Sequence, residues 1–443
     1  QPRRVLESVA PEALEIAESL DESDLASRVC KQALEALNSY GAATIFGSDD
    51  ARRWAERSDK YAIDGSADRV HADLALARIC HQQGNFVEAN SYVRRALATA
   101  QSVGQPDVLF QATFEAITSA GSSLRFDERL GLAKDFTQRS RHGVTVRNQA
   151  EVLWHSIQTY LDNGFRDRAE SLYREALELS ERTGDGYLLL HKYLYANHLA
   201  VIDGETERAI DAGEQMIAIS EELGAPVAGL QFSSVSTRRP LLYLGRPATI
   251  VETASLTTEQ NQKDTMAIMQ PLINLALGFA HMGRSAEANE ALNRIMPVFD
   301  LGSPGDAAPI AYVVPMLEAA TLSGNKAASK SLASWTSAVS HLVIGHTSMT
   351  CVARQLGAAA VLLDDQTKAR EYYELALEVT AKIRFRPEMA LTRLQLAELL
   401  LEHYPDERAE AIQHLDLAIP EFRDMKMQPS LERALSHRDI LKA

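Results

Sequence analysis

The sequence predicts an all-α chain, a solenoid of stacked antiparallel helix pairs. Three observations carry that prediction: a spacing of glycines, a spacing of alanines after them, and a helical apolar period on both sides of each glycine. Gly84, Gly164, Gly204 and Gly283, with Asp364 in the same place, recur at multiples of about forty residues. Each is followed five positions on by Ala89, Ala169, Ala209, Ala288 or Ala369. Four further on stand Val93, Tyr173, Gly213, Leu292 and Tyr373, and three beyond those Ala96, Ala176, Met216, Ile295 and Ala376. Weaker copies fall near Leu124, Gly245, Gly324 and Tyr404. A fixed period of this length marks units that cannot bury an apolar face alone and must stack.

Within a unit the elements follow in order. Before Gly164 runs AEVLWHSIQTYLDN and after it RDRAESLYREALELSERT, both with apolar residues at i, i+3, i+4 and i+7, so both read as helices. The glycine between them supplies the positive φ of a tight helix–helix turn. Asp167, Glu205, Glu207 and Glu287 open the second helices, where a negative charge favours the helix dipole. The segments GQP, GAP and FRP, at Pro106, Pro226 and Pro387, end them, because proline cannot continue a helix. Ala169 and Ala176 lie seven apart on one stripe, where a bulky side chain would hold the paired helices apart. Pro240 falls inside a first helix and predicts a kink or a later start. The stretch DLGSPGDAAPIAYVVP, residues 300–315, predicts a bend. Residues 105–145 read as a degenerate unit or an insertion. The expectation is one continuous solenoid over residues 1–443, of nine or ten helix pairs, without strands.

Length supports this organisation. At 443 residues the chain exceeds one ordinary compact core, and a repeat array escapes that limit because each unit packs only on its neighbours. Hydrophobic residues make up 46% and aromatics only 6%, so Ala and Leu do the packing. The net charge of −15 repels phosphate backbones, and no block of Lys or Arg offsets it, which argues against direct nucleic-acid binding. Cys30, Cys80 and Cys351 are far apart and form no CxxC, as expected of buried thiols in a reducing, cytoplasmic setting. No apolar run reaches membrane-spanning length. The opening QPRRVLESVAPEALEIAESL reads as an amphipathic helix already under way, and its lack of Met suggests a piece of a larger protein. No Gly-Lys dipeptide occurs, so a P-loop is excluded, and no other catalytic motif stands in a suitable context. The expectation is a non-enzymatic chain without a cofactor.

The pattern of Gly, Ala five on, an aromatic or apolar residue four further and Ala three further resembles the second half of a tetratricopeptide repeat. That family's upstream small position, seven before the glycine, is met by Ala77, Ile157, Asn197, Ala276 and Gly357. The family's usual length is 34 residues; this chain runs near forty. It is similar in that to the helical repeats of MalT-like regulators and of large bacterial signalling ATPases, including those fused to nucleotide cyclases. The tail from Tyr404 looks like the end of such regions, and the resemblance covers about residues 25 to 435. It implies a right-handed superhelix that binds a protein or peptide partner, or another domain of its own polypeptide, inside a bacterial signalling protein. The MalT-like resemblance also implies the alternative of a small-molecule sensor that controls an attached effector.

By the family's offsets the first helix of each pair lines the concave side. The candidate partner-binding residues there are His71, Arg78, Glu151, Trp154, Gln158, His191, His198, Arg239, Tyr243, Gln270, Glu318 and Arg354. Such a mixture of His, Arg, Gln and aromatics suits recognition of a peptide or a small polar ligand. Trp154 stands out as an anchor, with a core role between neighbouring units as the other reading. His191 and His198 share a helix face about two turns apart, roughly 10 Å, too far for one zinc ion, so no metal site is expected. The Lys positions of the two-carboxylate clamp found in chaperone-tail receptors are occupied by Leu74, Trp154, Leu194 and Ile273, which excludes that mode.

Overall fold

Nine two-helix units run from residue 67 to residue 424 in the computed structural model, which describes residues 10–20, 23–38, 49–119, 126–183, 186–223, 226–260, 265–299, 309–344 and 349–440. Among the described residues three helices precede them: α1 (Ala10–Ser19), α2 (Ser23–Asn38) and α3 (Asp49–Tyr61). The units pair α4 (Ala67–Gln82) with α5 (Phe86–Val103), α6 (Pro106–Ser119) with α7 (Phe126–Phe136), and α8 (Val146–Asp162) with α9 (Arg166–Thr183). Next come α10 (Gly186–Asp203) with α11 (Thr206–Glu222), α12 (Pro226–Tyr243) with α13 (Pro247–Gln260), and α14 (Thr265–His281) with α15 (Ser285–Ile295). The last three are α16 (Ile310–Leu322) with α17 (Lys326–Thr336), α18 (Val352–Leu362) with α19 (Gln366–Lys382), and α20 (Arg386–His403) with α21 (Arg408–Asp424). Helix α22 (Gln428–Ile440) covers the end. The fold class is the predicted one, an all-α solenoid of helix pairs.

The recurring glycines do what their spacing requires. Gly164 has φ 85° and Gly204 φ 77°, and Asp364 takes the same left-handed backbone at φ 63°. In each case the following N–H returns to a carbonyl five residues back: Phe165 to Tyr160 at 2.8 Å, Glu205 to Ala200 at 2.8 Å, Asp365 to Ala360 at 2.9 Å. This is the closure that satisfies orphan carbonyls at a helix end. The alanine stripe is buried: Ala169, Ala176, Ala209, Ala369 and Ala376 expose nothing. Opposite it, the Asn197 amide on α10 donates to the Ala209 carbonyl on α11 at 2.6 Å. A Cβ added at Gly357 would stand 2.6 Å from the Tyr373 ring, so that upstream position does face the second helix of its own unit.

Several local expectations are refined. Pro106 and Pro226 are the first residues of α6 and α12, so they end one helix by starting the next, where a missing N–H is harmless. Helix α12 runs from Pro226 through Pro240, so its start is not delayed. Residues 106–136 form a helix pair in its proper place, a unit and not an insertion. The marker at Leu124 and most of the expected bend, residues 300–308, lie outside the described residues. The expectation of no strands is corrected by a minimal ribbon, β1 (Val343–Ile344) against β2 (Thr350–Cys351), antiparallel with Val343 opposite Cys351. Val343, Thr350 and Cys351 are buried β-formers there, and the short ribbon replaces the turn that precedes α18.

Beyond nearest neighbours, the chain meets itself again after one superhelical turn. The Arg166 guanidinium donates to the Ile383 carbonyl at 3.1 Å, 217 residues away in sequence. The Thr206 hydroxyl donates to the Met425 carbonyl at 3.3 Å, and Lys426 pairs with Glu207 at 2.6 Å, each 219 residues apart. Phe86 stacks on Phe299 with centroids 6.0 Å apart. A constant offset of 217 to 219 residues is about five and a half units, so the loops at Gly164 and Gly204 lie in a seam against the loops that follow α19 and α21. One apolar core therefore joins residues 150–216 to residues 343–434.

Candidate functional site

The first helices carry the twelve inner-face candidates, as their offsets require. Nine of them, Glu151, Trp154, Gln158, His191, His198, Arg239, Tyr243, Glu318 and Arg354, are buried. His71, Arg78 and Gln270 are half-buried. This differs from the open concave surface expected of them. The reason is the tight superhelix: units several places apart along the chain meet across the inner face, with Tyr243 of α12 bonded to Glu388 of α20 at 2.9 Å.

Two clusters occupy this interior. The first is aromatic and lies on α8 and α10. Trp154 stacks on Tyr195 at 5.2 Å with planes 7° apart, and on His191 at 5.8 Å. Tyr173 meets Trp154 edge-on at 5.8 Å. Trp154 is thus the core residue between neighbouring units, fully enclosed, and its removal to Ala would cost about 3–5 kcal/mol. On the same helix His155 lies 3.6 Å from Glu151, against Phe114 and edge-on to His191. Burial, aided by the charge of Arg129, pushes the His155 imidazole down to about 3, so it is neutral at pH 7. Gln158 donates to Asp162 at 2.5 Å, and Arg129 from the preceding unit pairs with the same carboxylate at 3.1 Å.

The second cluster is ionic and spans five consecutive units. Arg239 on α12 grips Glu318 on α16 through two hydrogen bonds, 2.9 and 2.7 Å, and His281 at the end of α14 meets the same carboxylate at 3.1 Å. The Arg239 guanidinium also lies over the Tyr243 ring at 5.8 Å. From Tyr243 the chain of bonds passes to Glu388, which accepts from Thr350 at 2.9 Å, from the Cys351 N–H at 2.8 Å and from Arg354 at 2.7 and 3.0 Å. Burial works against both carboxylates being charged. The Arg239 and Arg354 guanidiniums override it, holding Glu318 and Glu388 below the usual carboxylate range. Bidentate pairing of this kind is what makes a buried pair tolerable.

Arg238 stands apart. It occupies the position seven before Gly245, where a small residue is usual, and it is buried. Its one bond goes to Asn274 at 2.6 Å, which leaves Nε and Nη2 without hydrogen-bond partners. Burial and then the adjacent Arg239 charge lower it to about 9, so it stays charged at pH 7. At the N-terminal end, Arg78 on α4 pairs with Glu115 on α6. Burial pushes the half-buried His71 down to about 4.

Glu388, His281, Thr350, Asn274 and His155 complete these clusters and were not among the sequence candidates. Glu388 sits in the first turn of α20, outside the offsets used to define the inner face. His155 carried a readable signal, since it stands four residues after Glu151 on one helix face. Among the described residues, no helix is long and apolar enough to cross a membrane.

No protein-family profile matches this chain, and no curated protein matches it. Among solved structures, it is similar over 98% of its length to 95% of a chain in the crystal structure of the APC/C hetero-tetramer Cut9–Hcn1, at 14% identity and a TM-score of 0.35. It is similar over its whole length to 96% of a circular tandem repeat protein with novel repeat topology, at 13% identity and a TM-score of 0.14. The fold described above rests on the helix pairs themselves.

Proposed function

We propose that the chain is a non-catalytic protein-interaction scaffold, cytoplasmic, and the sensor or scaffold segment of a larger bacterial signalling protein. Its partner is a protein, a peptide or another domain of the same polypeptide. The observation that supports this reading is the inner face itself. Arg239, Glu318, Arg354 and Glu388 come from four different units and converge in a buried, hydrogen-bonded polar cluster on the inner side of the array, preformed charge of the kind that sets specificity when a partner reaches it. In this conformation those groups are buried and satisfy one another, so a partner that reaches them must first part the neighbouring units. Stacked repeats supply long continuous faces of this sort without a catalytic pocket.

The alternative, a small-molecule sensor, has one observation in its favour. A cleft of about 310 Å³ lies in the seam, lined by Glu205, Thr206, Arg208, Asp424 and Lys426 among others. The cleft is open to solvent along much of its rim, unlike the enclosed pockets that hold most small ligands. A ligand there would bias the turn-to-turn contact and so the superhelical pitch.

Affinity capture from native lysate tests the scaffold reading. The bait chains are the unmodified protein, a seam-loosened Lys426→Glu variant, and an inner-face variant carrying His71→Ala and Gln270→Ala at half-buried positions, each checked by circular dichroism. The inner-face reading expects a protein retained more strongly by the seam-loosened chain and lost from the inner-face variant. Equal retention by all three moves binding to the outer helices. Retention of no protein ends the scaffold proposal, and a small molecule carried by the unmodified chain alone supports the sensor.

A further inference from the structure

We propose that Glu151, His155 and His191 form a site for one divalent transition-metal ion of the zinc type. Glu151 and His155 stand one turn apart on α8, and His191 comes from α10, the first helix of the next unit. One ligand atom from each lies within 4.8 Å of both others. Zinc holds nitrogen and oxygen ligands at about 2.0–2.2 Å, so tetrahedral neighbours stand about 3.3–3.5 Å apart. Glu151 Oε2 and His155 Nε2, at 3.6 Å, are already at that spacing. The His191 ligand atom, within 4.8 Å of both, closes to that spacing by a shift of at most about 1.5 Å.

The chemistry of the donors selects the ion. Two imidazoles and one carboxylate suit zinc and its first-row neighbours, whereas calcium and magnesium require a shell of oxygens. The rings are held in place by packing. His191 stacks on Trp154 and touches Phe232 at 6.1 Å, while His155 lies against Phe114 at 5.0 Å. His155 Nε2 is buried without a hydrogen-bond partner, in contrast to Asp162 two turns further along, which is paired twice. Its side chain as a whole remains 19% exposed, although Nε2 itself is buried. The nearby positive charges do not block the site. Arg129 is tied to Asp162, and Arg147 reaches Glu151 only at 3.9 Å from a half-exposed rim position.

A bound ion would tie the first helices of two consecutive units together and fix their angle. The sequence offered His191 and His198 as a pair and rejected them on distance. The fold gives His191 different partners, from the unit before it.

Calorimetric titration with zinc chloride of the chelator-treated, dialysed chain tests the site. One equivalent is expected to bind, and Glu151→Gln or His191→Gln is expected to weaken it at least about tenfold, as loss of a ligand should exceed loss of a supporting contact. His142→Gln, at an exposed histidine outside the site, is expected to change nothing. The melting temperature is expected to rise with zinc in the unmodified chain and not in the Glu151→Gln, His191→Gln double variant. Should the variants fail to fold, cobalt(II) added to the unmodified chain decides alone: the visible absorption of a four-coordinate ion supports the site, and a six-coordinate aqueous spectrum overturns it. Zinc binding of equal strength in the unmodified chain and the folded double variant, or no saturable binding, also overturns it.

Discussion

Arg166 reaches across 217 residues of sequence to donate from Nη1 to the Ile383 carbonyl; the same Nη1 binds Asp203 at 2.6 Å, Nη2 binds it at 2.9 Å, and Nε binds Glu170 at 2.6 Å. One side chain thus ties together its own unit, the next unit and the opposite turn. It is buried at this junction, and burying a guanidinium is tolerable only because every face of it is bonded. The superhelix is consequently a molecule with two layers of contact, unit on unit and turn on turn.

The ionic cluster predicts a large penalty at Glu388. Glu388→Gln removes the charge that offsets the buried Arg354 and is expected to cost about 3–5 kcal/mol. Urea unfolding followed by circular dichroism measures it. A loss below about 1 kcal/mol would mean that Arg354 reaches water instead.

Two glycines with one backbone conformation predict different costs. Gly283 (φ 71°) has open space where a Cβ would go, so Gly283→Ala pays only for the left-handed backbone, about 1–2 kcal/mol. At Gly204 the added carbon would stand 2.3 Å from Met425 Sδ and 2.6 Å from its Cγ. Gly204→Ala is therefore expected to lose more, and adding Met425→Ala to restore part of it, in thermal melting. Equal losses at the two positions would show that the seam is not closed in solution.

Acid sensitivity is expected from His71. Its folded-state value of about 4 lies below the ordinary 6.5, so the unfolded chain binds the extra proton between those limits. Stability is fully present above pH 6.5 and falls as pH drops towards 4. Lys31 and Arg78 act in the same sense as burial, and Asp68 and Asp107 oppose it. The urea midpoint is expected to decline over that window, less steeply in His71→Gln. An unchanged slope in the variant would refute this assignment.

The repeat was legible because its causes are local. A positive φ calls for glycine at Gly164, and helix contact calls for alanine at Ala169, so both recur at fixed offsets. The inner-face candidates were placed on the right helices for the same reason. What the sequence hid was the radius of the superhelix, a small angle per unit summed over several units. That sum decides whether Trp154 and Arg239 face a groove or a core, and it decides that Tyr243 meets Glu388, 145 residues later. The metal-ligand trio was half legible, through Glu151 and His155 one turn apart. Its third member needed the neighbouring unit.

The closed seam is the claim on which the rest depends, and zero-length carbodiimide coupling tests it directly. Lys426 and Glu207 stand 2.6 Å apart across the seam, and Lys326 and Asp364 stand 2.6 Å apart between successive units. Both pairs are exposed, so both are open to the reagent. The closed superhelix predicts intramolecular coupling of both pairs, read by peptide mass spectrometry of monomeric chain. Coupling of Lys326 to Asp364 without any of Lys426 to Glu207 would contradict it, and would return the inner face to an open groove.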